Sequence, residues 1–137
     1  MRDRSIRNAP RKREGPPLVL IVDDFEDNRL MYAEYLTYLG YRVEQAANGE
    51  EAVQMTQRLR PHVVVMDLSL PVLDGWEATR RLKADERTKH IPIIALTGHA
   101  FPVHTGGARA AGCDALLIKP CFPETLVAKL EELMRSS

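Results

Sequence analysis

The stretch that decides the fold is His62-Val63-Val64-Val65-Met66-Asp67, which is followed by Leu68-Ser69-Leu70-Pro71-Val72-Leu73-Asp74-Gly75. Four apolar residues bounded by a cluster of Pro, Asp and Gly are typical of a short buried strand in a parallel sheet. The run ends on Asp67, so the strand is predicted to leave a carboxylate at the edge of the sheet. Asp67 is therefore the first candidate for a functional residue.

Three further apolar runs also stop at polar residues. They are residues 18–22 before Asp23 and Asp24, residues 91–96 before Thr97, and residues 115–118 before Lys119. In residues 41–46 charged residues alternate with Val43, and this weaker pattern predicts a strand at the edge of the sheet. The chain thus contains five predicted strands.

Helix signals separate these strands. After the first strand, Asp27 is predicted as the N-cap of a helix that ends at Gly40. The apolar residues that recur at helical spacing in this helix are Leu30, Ala33, Leu36 and Leu39.

The other helices have clearer beginnings. Asn48 and Asp74 are each followed three residues later by a glutamate, a pairing that satisfies the first backbone amides of a helix. Pro123 suits the first position of the last helix, and a short helix is predicted over residues 108–111. Five strands that alternate with helices predict an α/β fold, (βα)5, in which a doubly wound parallel sheet carries helices on both faces. Right-handed crossovers place all the strand C-termini on one edge, where open sheets bind ligands.

The composition indicates one globular domain. The chain has 137 residues, 45% of them hydrophobic, which is enough to build a core without disulfides. Its two cysteines, Cys113 and Cys121, suggest buried or bystander thiols in a reducing compartment. No apolar stretch is long enough for a membrane span, and the N-terminus lacks the apolar region of a signal peptide. We therefore expect a cytoplasmic protein without membrane contact.

The net charge is zero but unevenly distributed. Residues 1–17 form a basic leader that contains Asp3 and Glu14 and six basic residues, which are Arg2, Arg4, Arg7, Arg11, Lys12 and Arg13. Such a segment is able to bind nucleic acid, but it has almost no apolar side chains, so we expect a flexible solvated leader. Residues 18–137 then form the folded domain.

Five side chains are predicted to meet at the C-terminal edge of the sheet: Asp23, Asp24, Asp67, Thr97 and Lys119. Two carboxylates about 4 Å apart repel by about 4 kcal/mol at the effective dielectric of a protein surface. A cluster of three acids is therefore expected to bind a cation that compensates this repulsion. Mg²⁺ prefers such oxygen ligands. An aspartate beside Mg²⁺ is a competent nucleophile toward phosphorus, and Asp67 is the candidate. A lysine and a threonine are suited to bind the phosphoryl oxygens.

With these residues in place, the sequence resembles the receiver domain of bacterial two-component response regulators over about residues 18–135. The motifs that carry the resemblance are Val22-Asp23-Asp24, Met66-Asp67-Leu68-Ser69-Leu70-Pro71-Val72-Leu73-Asp74-Gly75, Ala95-Leu96-Thr97-Gly98 and Ile118-Lys119-Pro120. The resemblance implies a flavodoxin-like sheet in the order 2-1-3-4-5 and a stand-alone, CheY-like phosphorelay protein. Such a protein is not an enzyme in the usual sense, since it catalyses only its own phosphorylation and dephosphorylation.

The resemblance also implies the roles of the site residues. Asp67 would accept a phosphoryl group from a phosphohistidine and become 4-aspartylphosphate. Mg²⁺ would be held by Asp24, Asp67 and the backbone carbonyl of Ser69, with Asp23 acting through water. Thr97 and Lys119 would bind the phosphoryl group, and the peptide bond after Lys119 would be cis.

One position departs from the family pattern. Many receivers carry Tyr or Phe three residues before the lysine, where this chain has Leu116. Our hypothesis is a phosphoryl carrier or a weakly switched module, and large chemical-shift changes over residues 105–118 on binding of a phosphoryl mimic would contradict it. Ser69 and His99 stand where the family tunes access of the hydrolytic water.

Other functions fit the residues less well. A haloacid-dehalogenase-like phosphatase needs a second acid at the position of Ser69, and a flavodoxin-like carrier would not place acids where its phosphate binds. A receiver-like interaction module that acts without phosphorylation stays open. The expected partners are a sensor histidine kinase or a histidine phosphotransfer protein, whose donor the resemblance places near the first helix, and a downstream protein target. A second copy of the chain, as a homodimer, is a further candidate.

Overall fold

A parallel five-stranded sheet forms the centre of the molecule in the computed structural model, which describes residues 15–70, 72–98 and 112–136. The strands are β1 (Leu18–Val22), β2 (Arg42–Ala46), β3 (Val63–Asp67), β4 (Ile93–Thr97) and β5 (Ala115–Ile118). Their order across the sheet is β2-β1-β3-β4-β5, and all four pairings are parallel. The predicted α/β class, the order 2-1-3-4-5 and the edge position of the second strand are confirmed.

Helices cover both faces of this sheet. The described helices are α1 (Glu26–Tyr38), α2 (Gly49–Leu59), α3 (Gly75–Ala84) and α4 (Pro123–Ser136). The short helix predicted over residues 108–111 lies outside the described residues, as does the basic leader up to residue 14.

The core has two layers, one on each side of the sheet. On one side Leu36 of α1 and Leu130 of α4 pack with Val65 of β3. On the other side Ala52 of α2 and Leu82 of α3 pack with the alternate residues of the same strands. Strands β1, β3 and β4 are buried along their whole length. The continuous apolar runs of the sequence therefore correspond to strands that helices cover on both sides.

Two predicted helix caps are confirmed. The side chain of Asn48 accepts a hydrogen bond from the backbone N–H of Glu51 at 2.9 Å, and Asp74 does the same for Glu77 at 2.9 Å. Each bond satisfies one of the amides that a helix N-terminus leaves without a partner.

The predicted beginning of α1 was wrong. The helix begins at Glu26 with Phe25 at its N-cap, and Asp27 lies in the first turn, not at the cap. The reason is that Asp23 Oδ1 already accepts the backbone N–H of Phe25 at 2.9 Å, which turns the chain into the helix earlier. Acidic residues in the first turn still favour the helix through its dipole.

The predicted apolar residues of α1 do not share one face. Ala33 and Leu36 are buried, but Leu30 is 36% exposed and Leu39 45% exposed. An α-helix turns about 100° per residue, so residues nine positions apart lie on opposite sides. Tyr32, which the pattern had not singled out, is buried instead. The outer side of α1 is left with exposed apolar groups.

The fourth strand also begins later than predicted, at Ile93 and not at Ile91, and it includes Thr97. The backbone N–H of Ile91 donates to the carbonyl of Thr88 at 3.0 Å, so this residue belongs to the turn before the strand. The carbonyl of Pro92 accepts the N–H of Val64, which aligns β4 with β3.

Candidate functional site

Three carboxylates meet where β1 and β3 end. The two strands pair in parallel, with Val22 opposite Met66, so the residues that follow them lie side by side. Carboxylate oxygens of Asp23, Asp24 and Asp67 all lie within 4.8 Å of one another. The structure thus brings together the three acids that the sequence predicts at this edge.

Asp23 and Asp67 are almost completely buried, whereas Asp24 is exposed. Asp67 Oδ1 accepts the backbone N–H of Ser69 at 2.9 Å, which orients its side chain. The other oxygen of Asp23, Oδ2, is buried and has no hydrogen-bond donor among the described residues. A buried carboxylate oxygen without a donor is costly unless a cation or water satisfies it.

Lys119 supplies positive charge to this cluster. It follows β5, where its backbone N–H donates to the carbonyl of Thr97 at 2.7 Å. Its Nζ lies 2.9 Å from Asp67 Oδ2 and 3.8 Å from Asp23 Oδ2. The peptide bond between Lys119 and Pro120 is cis, as the family resemblance implied.

Thr97 and Ser69 also lie at this edge. Asp67 is opposite Leu96 in the β3–β4 pairing, so Thr97 ends the neighbouring strand one residue further along the chain. Thr97 is 4% exposed, whereas Ser69 is exposed in the loop after β3. The five predicted side chains therefore come from the ends of four adjacent strands.

The electrostatics of the site favour cation binding. Burial raises the pKa of Asp23, and the negative charge of Asp67 raises it further, against the lowering effects of the Phe25 amide and of Lys119. Three clustered acids beside one ammonium group retain an excess of negative charge. Carboxylate oxygens in this number are the ligands that hard divalent ions prefer, so the residues fit Mg²⁺.

Gly75 allows α3 to begin directly beside Asp67. Its backbone N–H donates to the carbonyl of Leu68 at 3.2 Å. A Cβ added at Gly75 would overlap the carbonyl oxygen of Asp67 and would lie 2.7 Å from Cα of Leu68. The close approach of the two backbones therefore requires glycine at this position.

Two supporting residues were missed in the sequence. Arg29 donates from Nη1 to the carbonyl of Asp23 at 2.9 Å and from Nε to Gln45 at 3.0 Å, so it ties the acidic loop to β2. Tyr32 donates its hydroxyl to the carbonyl of Cys121 at 2.7 Å. Burial raises the pKa of Tyr32 to about 12, so the hydroxyl stays a donor at neutral pH. Neither contact has a local sequence signal, because each joins distant segments.

Replacing Tyr32 with phenylalanine is expected to destabilise the protein by about 1–3 kcal/mol, because the carbonyl of Cys121 would lose a buried donor. Urea unfolding monitored by circular dichroism measures this loss. Tyr38→Phe is the control, since Tyr38 is 85% exposed and its variant is expected to unfold like the wild type. Equal stability of the two variants would contradict this role of the Tyr32 hydroxyl.

Replacing Asp23 with asparagine is expected to stabilise the metal-free protein at neutral pH by on the order of 1 kcal/mol, because it removes a buried charge with an unsatisfied oxygen. A pKa that is raised in the folded state means that ionisation of Asp23 costs stability as the pH rises through that pKa. The difference in stability between Asp23→Asn and the wild type should therefore become smaller as the pH falls toward 4.

Thermal unfolding in EDTA at several pH values tests this expectation. Asp24→Asn is the matched variant, and it should have a smaller effect because Asp24 is exposed. A lower melting temperature for Asp23→Asn than for the wild type at pH 7 would be the contrary result.

Leu116, the two cysteines and His99 are the remaining positions that the sequence analysis discussed. Leu116 is half-buried and packs with Trp76 against Leu68 and Ala95. Both cysteines belong to the described part of the chain and neither forms a disulfide. The position of His99 lies outside the described residues.

The fold and this cluster define an α/β domain with an acidic site at the C-terminal edge of its parallel sheet, and comparison with known proteins identifies the family. Residues 19–131 match the response regulator receiver domain family. The chain belongs to this family of two-component signalling proteins.

Individual relatives agree with this assignment. The polar-differentiation response regulator DivK of Brucella anthropi is 36% identical over 119 residues, which cover 84% of this chain and 97% of that protein. The chemotaxis response regulator CheY4 of Vibrio cholerae has a TM-score of 0.81 and 35% identity, covering 86% of this chain and 98% of CheY4.

A third relative bears on the metal. The receiver domain of the sensor histidine kinase PA1611 from Pseudomonas aeruginosa PAO1 has a TM-score of 0.77 and 35% identity, covering 89% of this chain and 97% of that domain. Its crystal structure holds a magnesium ion coordinated in the active-site cleft.

Within the described part of our chain, no helix has the length and apolar character needed to cross a bilayer.

Proposed function

We propose that this chain is a single-domain response regulator that accepts a phosphoryl group on Asp67 from a phosphohistidine donor in a Mg²⁺-dependent reaction. It acts in the cytoplasm and signals or relays by contact with other proteins. The observation that carries the proposal is the 2.9 Å contact between Lys119 Nζ and Asp67 Oδ2 inside a cluster of three carboxylates. Residues 18–137 are the receiver and residues 1–17 the basic leader.

The donor set supports the metal. Asp24, Asp67 and the backbone carbonyl of Ser69 would hold Mg²⁺, with Asp23 acting through water. The unsatisfied oxygen of Asp23 and the close spacing of the acids fit a hard cation. When bound, Mg²⁺ supplies positive charge to the phosphoryl oxygens and reduces the repulsion among the carboxylates.

Asp67 is the nucleophile in this proposal. One of its carboxylate oxygens attacks phosphorus, the new O–P bond replaces the P–N bond of the phosphohistidine, and the imidazole nitrogen keeps the electron pair and takes up a proton. Lys119 already contacts Asp67, so its ammonium group is placed to donate to a phosphoryl oxygen. Thr97 supplies a hydroxyl donor from the neighbouring strand. Near-complete burial of Asp67 strengthens both interactions.

The donor's docking surface is proposed at the N-terminal half of α1 and the loop after Lys119. A groove of about 450 Å³ runs between them, and Asn28, Met31, Lys119 and Phe122 contribute to its lining. Phe122 is 71% exposed and Met31 43% exposed. Apolar groups beside a reactive carboxylate suit a helical partner that carries the phosphohistidine.

Incubation with acetyl phosphate and Mg²⁺, followed by intact-mass measurement, tests the proposed chemistry. The wild type should gain the mass of one phosphoryl group, and Asp67→Asn should not. Asp85→Asn is the control, since Asp85 pairs with Arg87 outside the site. No mass gain in the wild type would instead favour an interaction module that acts without phosphorylation.

A further inference from the structure

The outer side of α1 carries a continuous stripe of exposed side chains, which we call the α1 face: Asp27, Leu30, Met31, Glu34 and Tyr38. Asp27, the pair Leu30 and Met31, Glu34 and Tyr38 recur at steps of three or four residues, so they lie on one side of the helix. Tyr38 is 85% exposed, Met31 43% and Leu30 36%. Beside them a groove of about 360 Å³ runs between α1 and the edge strand β2. The α1 face therefore combines apolar groups with two carboxylates.

The negative charge of the folded domain is concentrated in the segment from the end of β1 through α1, where Glu26, Asp27 and Glu34 belong to the helix. Residues 40–137 contain 12 acidic and 12 basic residues, so they are neutral as a group. Residues 23–39 contain one basic residue, Arg29, and five acidic residues, which are Asp23, Asp24, Glu26, Asp27 and Glu34. The excess of four negative charges in this segment equals the excess of four positive charges in residues 1–14.

The chain enters the fold next to α1. Arg42, the first residue of β2, donates from its backbone N–H to the carbonyl of Pro17 and from its side chain to the carbonyl of Pro16, both at 2.9 Å. The end of α1 lies at the same place, because the N–H of Tyr41 donates to the carbonyl of Leu36. The last turn of α1 contains no basic residue, so its carbonyl end can accept positive charge.

The length of residues 1–14 is sufficient to cover the helix. An extended chain of this length reaches up to about 46 Å, whereas α1 with its 13 residues is about 20 Å long. The segment can therefore leave Pro16 at the C-terminal end of α1 and run along the whole α1 face.

We propose that residues 1–14 bind the α1 face of the same chain, with arginine and lysine side chains against Asp27 and Glu34 and their aliphatic parts over Leu30, Met31 and Tyr38. Met31 also lines the groove that reaches Lys119, so the bound segment would compete with the phosphohistidine donor. This consequence rests on the proposed function, whereas the binding itself does not.

We expect each of these contacts to be weak, and the contacts together to hold residues 1–14 on the α1 face. Each exposed ion pair contributes little by itself, but the covalent connection gives the segment a local concentration in the millimolar range. The pairs are screened by salt, because the Debye length falls from about 10 Å at 0.1 M to about 3 Å at 1 M. The contact is therefore reversible, and a donor protein can displace it.

Amide chemical shifts of the full-length chain test the binding. The wild type is compared with a leader variant that carries Arg7→Gln, Arg11→Gln, Lys12→Gln and Arg13→Gln. At low salt the amide signals of residues 27–38 are expected to differ between the two proteins, and at 1 M NaCl they should coincide. Coincidence already at low salt, or differences that grow with protein concentration and so report a second copy, would overturn the proposal.

Substitutions on α1 itself test whether residues 1–14 bind the α1 face. In a protein with Asp27→Asn and Glu34→Gln, the leader substitutions should no longer move the signals of the other α1 amides. The control background is Glu131→Gln with Glu132→Gln, which removes the same charge from the exposed side of α4 and should leave the effect unchanged. An undiminished effect in the Asp27 and Glu34 background would contradict the proposed contacts.

The competition is tested by phosphotransfer. The leader variant is expected to be phosphorylated severalfold faster than the wild type by a phosphorylated histidine phosphotransfer domain, and equally fast by acetyl phosphate, which needs no docking surface. An equal rate with the protein donor would overturn the competition. If neither donor phosphorylates the chain, the proposed function fails while the chemical shifts still decide whether the leader binds.

Discussion

Replacing Lys119 with methionine is expected to lower the rate of Asp67 phosphorylation by acetyl phosphate by about 10²–10³-fold, the usual effect of removing one donor from a developing anionic centre. Lys119 Nζ is 2.9 Å from Asp67 Oδ2, so among the described residues it is the cation closest to where the phosphoryl group would be attached. Methionine keeps the length and apolar character of the side chain while removing its charge. Intact-mass measurement over time gives the rate.

Lys129→Met provides the matched control. Lys129 lies on α4 and pairs with Glu132 at 3.1 Å, and neither residue belongs to the acidic cluster. This variant should be phosphorylated at the wild-type rate, and both variants should retain the far-ultraviolet circular dichroism of the wild type. A Lys119→Met protein that is folded and phosphorylated within a factor of two of the wild type would show that the ammonium group has no part in the chemistry.

Replacing Gly75 with alanine is expected to destabilise the protein by about 3 kcal/mol, which corresponds to a fall in melting temperature on the order of 10 °C. The added methyl group would overlap the carbonyl of Asp67, and neither backbone can move without displacing the end of β3 or the start of α3. Differential scanning calorimetry measures the change.

Gly98→Ala is the control for this substitution. A Cβ at Gly98 would meet no atom of the described residues within 4 Å, although Gly98 directly follows Thr97 at the same edge of the sheet. Its melting temperature should remain close to that of the wild type. Two alanine variants with equal melting temperatures would mean that the backbone of α3 does not approach Asp67 as closely as the structure shows.

The parts of the fold that the sequence predicts are those that depend on local pattern. The strands β1, β3 and β4 are short apolar runs because both of their faces are buried. The side chains of Asn48 and Asp74 cap backbone amides, and these residue types mark the beginning of each helix in the sequence. Parallel strand direction predicts that Asp23, Asp67 and Lys119 lie at the same edge of the sheet, whereas their close contact also depends on the strand order. The order of the strands came from the family resemblance and not from the pattern.

The parts that could not be predicted depend on tertiary contacts. Tyr32 is buried because its hydroxyl reaches the carbonyl of Cys121, 89 residues further along the chain, and no local pattern encodes such a bond. Leu30 and Leu39 look like core residues by hydropathy, but the direction of α1 leaves both exposed. Asp27 has the chemistry of an N-cap, yet the Asp23 side chain starts the turn first.

The most direct test of phosphoryl transfer to Asp67 is to find the modified residue. After phosphorylation, sodium borohydride reduces an aspartyl phosphate to homoserine and releases inorganic phosphate, and peptide mass spectrometry locates the change. We predict homoserine at position 67 in the sample treated with Mg²⁺ and acetyl phosphate, and none when EDTA replaces Mg²⁺. Homoserine at another aspartate, or at none while the intact mass shows a phosphoryl group, would contradict the assignment of Asp67.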